Sequence, residues 1–532
     1  MRRWRSSTIS GPAWRSRTFL VLAALTLAGA ALRAWLLVAR PLMVDEGFTW
    51  KTALRPPVDF LLWSHDPDHP MLSFAFVRLS LEFFGQSAWA LRLPSFLAGV
   101  LCIPAAWLLG RRLDVRSGAG ERRPLKAVPV AAALLAALIA FDPLLVVQSG
   151  LARMYSLLAL LTLLTLERFG ALIAADERRA GPWFLLGALL LAATWTHYLG
   201  YVLVATVLMA AAWRAIWERE SGSAWSRFRP ALLAALVPIA GTLAPLLGAA
   251  RHGPAVERPT ALMGTMLETE AATLRVAEVA RRVIKAAVKL LPIGPLAPLL
   301  VLGGLGGLAV LARRSAALAF AVASMAAVTL TAVILGNGNR LYGVGRYLLP
   351  WRLAIAIGLA SLALLPGPRA RAAVTAVVAL ACLAGAWVAL PREVPGLFAV
   401  GELTRSLAPG IDEDERVAFA PAYYEPLGLW YGLPVARQQD PFPRRPDGSL
   451  PARVWIFANV SEGRTAGVRT VRRTGRLDEL LGALEVAYRA PVDRQALEDA
   501  LRANGGAAIS FRVGSASLYV PGEPPVAPHT AR

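Results

Sequence analysis

The sequence predicts a polytopic α-helical membrane protein of about eleven transmembrane helices, followed by a C-terminal extracytoplasmic α/β domain. Three observations predict it. Apolar residues make up 56% of the 532-residue chain and charged residues only 17%, against about 25% charged in ordinary soluble domains. The apolar residues come in blocks long enough to cross a bilayer, and the mean hydropathy is +0.51. After about Val394 these blocks stop, and short alternating segments take over.

The elements follow in order. The first apolar run, near 18–39, comes after Arg2, Arg3, Arg5, Arg15 and Arg17. It is longer than the core of a secretory signal and lacks a small-residue cleavage site, so it reads as a retained signal-anchor helix. Further spans are expected near 92–110, 127–147, 154–175, 230–250, 292–312, 316–336, 346–366 and 371–391. The block 182–214 is too long for one straight helix and short for two. Positive charge resolves it. The N-terminal arginines put that end in the cytoplasm. Segment 40–91 is then outside and loop 111–126, with Arg111, Arg112, Arg116, Arg122, Arg123 and Lys126, inside. Segment 148–153 is outside and "DERRAG" at 176–181 inside. Because 217–230 also carries a basic cytoplasmic signature (Arg219, Arg227, Arg229), block 182–214 must cross twice, with its hairpin near His197. Loop 251–281 is outside, Arg313 and Arg314 inside, 336–346 outside and 366–371 inside. The alternation closes with the C-terminus outside.

In the C-terminal region, 416–424, 453–460, 507–514 and 516–520 read as strands, and 477–488 and 493–503 as helices. The expected division is a membrane domain over 1–396, whose first outer loop is 40–91, and an extracytoplasmic α/β domain over 397–532 with a flexible tail from about 522. Cys102 and Cys382 both fall in apolar runs, which speaks against a disulfide framework.

The net charge of +21 does not indicate nucleic acid. The Lys and Arg residues cluster at the ends of apolar runs rather than on a basic face interleaved with aromatics. There is no phosphate-binding glycine loop and no dinucleotide fingerprint. The mixed polar chemistry collects on the expected outer side: Asp45 and Glu46, "HDPDHP" at 65–70, Gln148, Arg153, His197, Arg340 and Arg346. An activated donor on that side is expected to be lipid-linked. Glycosyl transfer from a lipid phosphate needs a carboxylate base for the acceptor hydroxyl. It also needs cations for the departing phosphate, a task suited to the planar, permanently charged guanidinium. Phosphate leaves without a general acid.

The run "VDEGFTW…HDPDHPMLSFAFVRLSLEFFGQSAWALRLPSFLAGV" (44–100) resembles the first outer loop of GT-C fold membrane glycosyltransferases, in particular the bacterial relatives of protein O-mannosyltransferases and lipid A aminoarabinose transferases. "FDPLLVVQSGLARMYSLLALLTLL" (141–164), "THYLGY" (196–201) and "GRYLLP" (345–350) fit the same pattern. The resemblance covers roughly 40–390 well and the tail loosely. It implies an inverting transferase in a bacterial inner membrane that uses a polyprenyl-phosphate sugar and an envelope lipid, polysaccharide or protein acceptor. Asp45 is then the catalytic base and Glu46 its motif neighbour. Arg153, Arg346 and His197 hold the donor phosphate, and His65, His69, Arg92, Tyr155 and Arg340 contact donor or acceptor. Where the aminoarabinose transferases carry a further acid, this chain reads Arg153-Met154-Tyr155, a departure from the pattern of their second-acid or metal site. The sequence establishes no cofactor and leaves metal dependence open; a divalent metal is compatible with it but not indicated.

Each residue has a plainer alternative. Arg153 and Arg346 can snorkel to headgroups, and Arg92 can brace its loop against the second span. His197 can be a satisfied buried histidine. His65, Asp66, Asp68 and His69 can form a turn that caps a surface helix at Pro70 rather than a metal site. Tyr423, Tyr424, Trp430 and Tyr431 can be domain core rather than a sugar platform. The rival functions are a transporter or flippase of lipid-linked saccharides, which would carry ionisable groups along a mid-membrane path, and a lipid-linked polysaccharide ligase.

Overall fold

The computed structural model describes residues 17–38, 40–58, 70–114, 129–217, 223–251, 297–337, 345–380, 384, 401, 404–405, 416–420, 425–433, 435, 454–458, 495, 508–513 and 516–521. The chain divides into two compact units, one comprising Met1–Val38 and Arg55–Leu390, the other Ala39–Leu54 and Pro391–Arg532. The acid-bearing segment 39–54 therefore belongs to the same unit as the C-terminal region.

The first unit is a helix bundle. Its helices are α1 (Arg17–Val38), α3 (Leu72–Phe84), α4 (Ala88–Asp114), α5 (Val130–Phe141), α6 (Pro143–Ser149), α7 (Tyr155–Ala174), α8 (Ala180–Thr196), α9 (Gly200–Trp217), α10 (Ala224–Arg251), α11 (Ala297–Ala312), α12 (Ala316–Asn337) and α13 (Leu349–Ser361). A last helix, α14, covers 368–380. The label α2 is kept for Val44–Ala53 in the other unit. Among the described residues, every segment expected to span contains a helix. Among the described residues, five helices are long and apolar enough to cross a membrane, six if the bent pair α5–α6 is one span. The chain is a multi-pass membrane protein. The doubled reading of 182–214 corresponds to α8 and α9, which break at His197–Leu199.

Two of the expected spans contain local breaks, and one expected helix start moves. The span at 127–147 is not straight: α5 and α6 meet at 57°. Pro143 has no N–H for the carbonyl of Ile139, and Asp142 caps the next helix through its side chain, accepting from the Leu145 N–H at 2.9 Å. The span at 346–366 opens with a 3-10 turn, Gly345–Leu348, and closes with another, Leu362–Leu364. The surface helix after "HDPDHP" begins at Leu72 with Met71 at its cap, so Pro70 precedes the helix rather than opening it.

Close helix approach rests on small residues. A Cβ on Gly307 would lie 1.7 Å from the carbonyl oxygen of Gly358, and one on Gly358 would lie 2.2 Å from that of Gly304. The "GGLGG" run of α11 thus lets its backbone touch α13, the packing that substitutes for hydrophobic drive inside a bilayer. Short α3 is divided into three sectors. Phe74, Val77 and Leu81 are buried, and Met71 and Phe74 pack on Trp195 and Tyr198. Phe76, Leu79 and Phe83 form an exposed apolar stripe. Arg78 pairs with Glu82 at 2.7 Å along the remaining flank.

The second unit contains a four-stranded sheet of β1 (Arg416–Ala420), β2 (Val454–Ala458), β3 (Ala508–Val513) and β4 (Ala516–Pro521), in the order β1-β2-β4-β3. β1 and β2 run parallel, with Ala418 opposite Ile456; β4 is antiparallel to both β2 and β3. The expected helices at 477–488 and 493–503 lie outside the described residues, apart from Gln495. Helix α15 (Glu425–Trp430) packs on α2. Gly47 permits this: a Cβ there would meet the backbone nitrogen of Leu427 at 2.9 Å and the carbonyl carbon of Pro426 at 3.1 Å. Trp50 and Trp430 meet edge to face at 5.5 Å, and the Leu42 N–H donates to the Tyr431 hydroxyl at 2.9 Å.

Candidate active site

In the helix bundle, polar groups gather where helix ends meet. The fully buried Tyr155 opens α7. His197 ends α8 in an extended conformation (φ −161°, ψ 147°), and its Nδ1 accepts from the Leu199 N–H at 3.0 Å. A neutral ring then carries its proton on Nε2. The 3-10 turn before α13 supplies Arg346 and Tyr347. The rings of Tyr155, His197 and Tyr347 touch pairwise, with centroids 5.5, 6.1 and 5.9 Å apart. The Arg346 guanidinium lies 5.7 Å from the Tyr155 ring and 5.4 Å from that of Tyr347. Aromatic faces hold a guanidinium in a fixed plane by cation–π attraction.

Arg153 sits in the turn between α6 and α7 and is buried. Its N–H donates to the Leu151 carbonyl, and its own carbonyl accepts from the Ser95 hydroxyl, both at 2.8 Å. Arg153 lies two residues before Tyr155 in the chain. Arg92 is fully buried and donates to the Leu37 carbonyl at 3.3 Å, which ties α4 to the end of α1. Asp142 forms an ion pair with Arg352. Among the described residues, Arg33, Arg92, Arg153, Arg227 and Arg352 are buried and Arg346 is partly buried.

In the second unit, Asp45 and Glu46 occupy the first turn of α2, where helix N–H groups favour negative charge. Their tasks differ. Glu46 is fully buried, and its Oε2 accepts from the Met43 N–H at 2.8 Å, so it closes the helix start. Asp45 is partly exposed, and its carbonyl accepts from Thr49 Oγ1 at 3.1 Å. Behind α2 lies Glu425, 4% exposed, with Oε1 lacking a hydrogen-bond partner. Burial pushes its carboxyl above the usual range, and nearby Lys51 opposes the shift. Trp430 and Tyr431 are used inside this unit. Tyr423, Tyr424, His65, His69 and Arg340 lie outside the described residues. Among the described residues, no three His, Cys, Asp or Glu side chains gather as a metal site.

No protein-family model matches the sequence, and no curated protein matches it. Solved structures do. ArnT from Cupriavidus metallidurans bound to undecaprenyl phosphate superposes with a TM-score of 0.53 at 14% identity, over 95% of this chain and 99% of that one. The apo state of the same protein gives 0.52 at 15%, with the same coverage. The chain has the GT-C fold. Within this GT-C bundle, Arg153, Tyr155, His197 and Arg346, all singled out from sequence, come together. Tyr347 joins them; its place beside Arg346 in "GRYLLP" was the available signal. The Asp142-Pro143 pair signalled a helix break. Arg33, Arg352 and Glu425 acquire significance only from burial.

Proposed function

We propose that the protein is an inverting glycosyltransferase that moves a sugar from a polyprenyl phosphate to a hydroxyl acceptor on the extracytoplasmic side of a bacterial inner membrane. The observation that carries this reading is the clustering of Arg346, Tyr155, His197 and Tyr347 next to the Arg153 turn. A monoester phosphate accepts bidentate hydrogen bonds from a guanidinium, and the surrounding rings exclude water, which strengthens that attraction. His197 Nε2–H supplies another donor. These groups hold the polyprenyl phosphate as it departs. Asp45 takes the proton of the acceptor hydroxyl as the acceptor oxygen attacks the anomeric carbon opposite the C–O bond that breaks, which inverts configuration. The Glu46 carboxylate keeps α2 capped. The GT-C fold and the undecaprenyl phosphate bound to ArnT support a lipid-phosphate donor.

The test is transfer by purified protein in nanodiscs, with a panel of polyprenyl-phosphate sugars and an envelope extract. Wild-type transfer that falls by about a thousandfold or more in Asp45→Asn, with unchanged thermal stability, is the expected result. Undiminished turnover in that variant would remove Asp45 from the mechanism. The 57° break between α5 and α6 favours one second reading, a flippase for lipid-linked saccharides, because transporters build sites from discontinuous helices. Saccharide movement into sealed vesicles without transfer would select it.

A further inference from the structure

We infer that the Arg33–Ser149 node is a positioning device that fixes the turn presenting Arg153; its functional part rests on the proposed phosphate role of that arginine. Arg33 is fully buried in α1. Its Nη1 donates to the carbonyls of Gly29 (2.9 Å) and Ala140 (2.8 Å), its Nη2 to that of Ile139 (2.9 Å), and its Nε to the Ser149 hydroxyl (3.2 Å). Ile139 and Ala140 are in the last turn of α5, and the break at Pro143 deprives them of their helical donors. The guanidinium replaces those donors. A buried cation inside a membrane bundle is costly, so its retention at the helix break calls for a role beyond packing.

Ser149 ends α6 and directly precedes the turn that holds Arg153. Its hydroxyl is saturated: it accepts from Arg33 and from the Ser156 hydroxyl at 3.2 Å, and donates to the Leu145 carbonyl. Ser156 lies in the first turn of α7, so the Ser149–Ser156 contact closes the base of the turn 150–154. Ser95 holds the Arg153 carbonyl from α4. The node has no room to relax. A Cβ on Gly99 would fall 2.0 Å from Ser149 Oγ, and one on Gly150 would fall 2.5 Å from Leu36 Cβ. The head of Arg153 is thus placed by a rigid backbone rather than by a mobile loop, and preorganisation of this kind governs affinity for a ligand held by a few charge-assisted bonds.

The experiment combines binding of undecaprenyl phosphate in nanodiscs with amide hydrogen exchange. Ser149→Ala is expected to weaken binding about tenfold in the wild-type background and by nothing further in an Arg153→Gln background, because a residue acting through Arg153 is coupled to it. Where wild type binds, equal loss in both backgrounds, or loss in neither, would overturn the inference. Exchange in 150–154 is expected to accelerate while α12 is unchanged, and unaltered exchange would overturn it without reference to any ligand. If exchange accelerates but neither wild type nor Arg346→Ala binds the lipid phosphate, the node stands as a brace for the turn and the phosphate reading falls. Ser156→Ala, which removes a single hydrogen bond, serves if Ser149→Ala does not fold.

Discussion

Arg33 in the bundle and Glu425 in the second unit meet the problem of buried charge in opposite ways. In the bundle, Arg33 spends its donors on three carbonyls and a hydroxyl, and Asp142 caps a helix while pairing with Arg352. In the second unit, Glu425 is buried with one oxygen unpartnered and an oppositely charged lysine nearby. Within a bilayer an unsatisfied group has no water to turn to, so the bundle completes its polar contacts at the helix break. In the second unit, burial raises the Glu425 carboxyl above its usual range instead. Satisfied charge fixes geometry, whereas unsatisfied charge makes stability depend on pH.

The largest effect expected from breaking this contrast is on the bundle side. Arg33→Met orphans the carbonyls at the end of α5 and should cost about 3 kcal/mol or more, read as a fall in thermal unfolding temperature. Arg33→Lys should recover only part of it, because an ammonium cannot meet the same four acceptors in one plane. Full stability in Arg33→Met would deny the guanidinium its role at the break.

Next in size is Gly47→Val in the second unit. Its side chain meets the backbone of Pro426 and Leu427, so α2 must lift from α15, at a cost of about 1–3 kcal/mol. Altered near-ultraviolet dichroism from the Trp50–Trp430 pair checks this; an unchanged spectrum would mean that the two helices are not so tightly seated.

Glu425 sharpens the contrast through pH. A carboxyl raised by burial binds more protons folded than unfolded, so its contribution is fully present below the unfolded value of 4.5 and is lost as pH rises through the folded value. Glu425→Gln should therefore unfold at a higher temperature than wild type near pH 8, with the difference vanishing toward pH 4. A constant difference across that range would assign the effect to packing.

The smallest effect concerns α3. Its Phe76–Leu79–Phe83 stripe faces away from protein, beside a charged flank, the division expected of a helix lying in the membrane interface. Phe83→Trp should leave stability unchanged to within about 0.5 kcal/mol. Its fluorescence should be quenched by lipids brominated near the headgroups, and absence of quenching would place the stripe away from the bilayer.

Much of this was legible beforehand. Apolar block length gave the helices, and basic loops forced 182–214 to be two helices that break at His197. Alternation located β1, β2, β3 and β4, and the ordered motifs singled out Arg153, Tyr155, His197 and Arg346. These are local properties: hydropathy over a window, charge at its ends, a proline without an N–H. The sequence by itself determined a multi-helix membrane bundle and the positions of the four strands in the C-terminal region. Only the tertiary structure decided that 39–54 packs with the C-terminal unit, that Glu46 caps while Asp45 stays partly exposed, and that Arg33 completes a broken helix it is separated from by 106 residues. The same structure made Glu425 a buried acid. The reason is physical: burial and hydrogen-bond completion depend on which surfaces meet across the chain, and the periodicity of one segment carries no record of its partner.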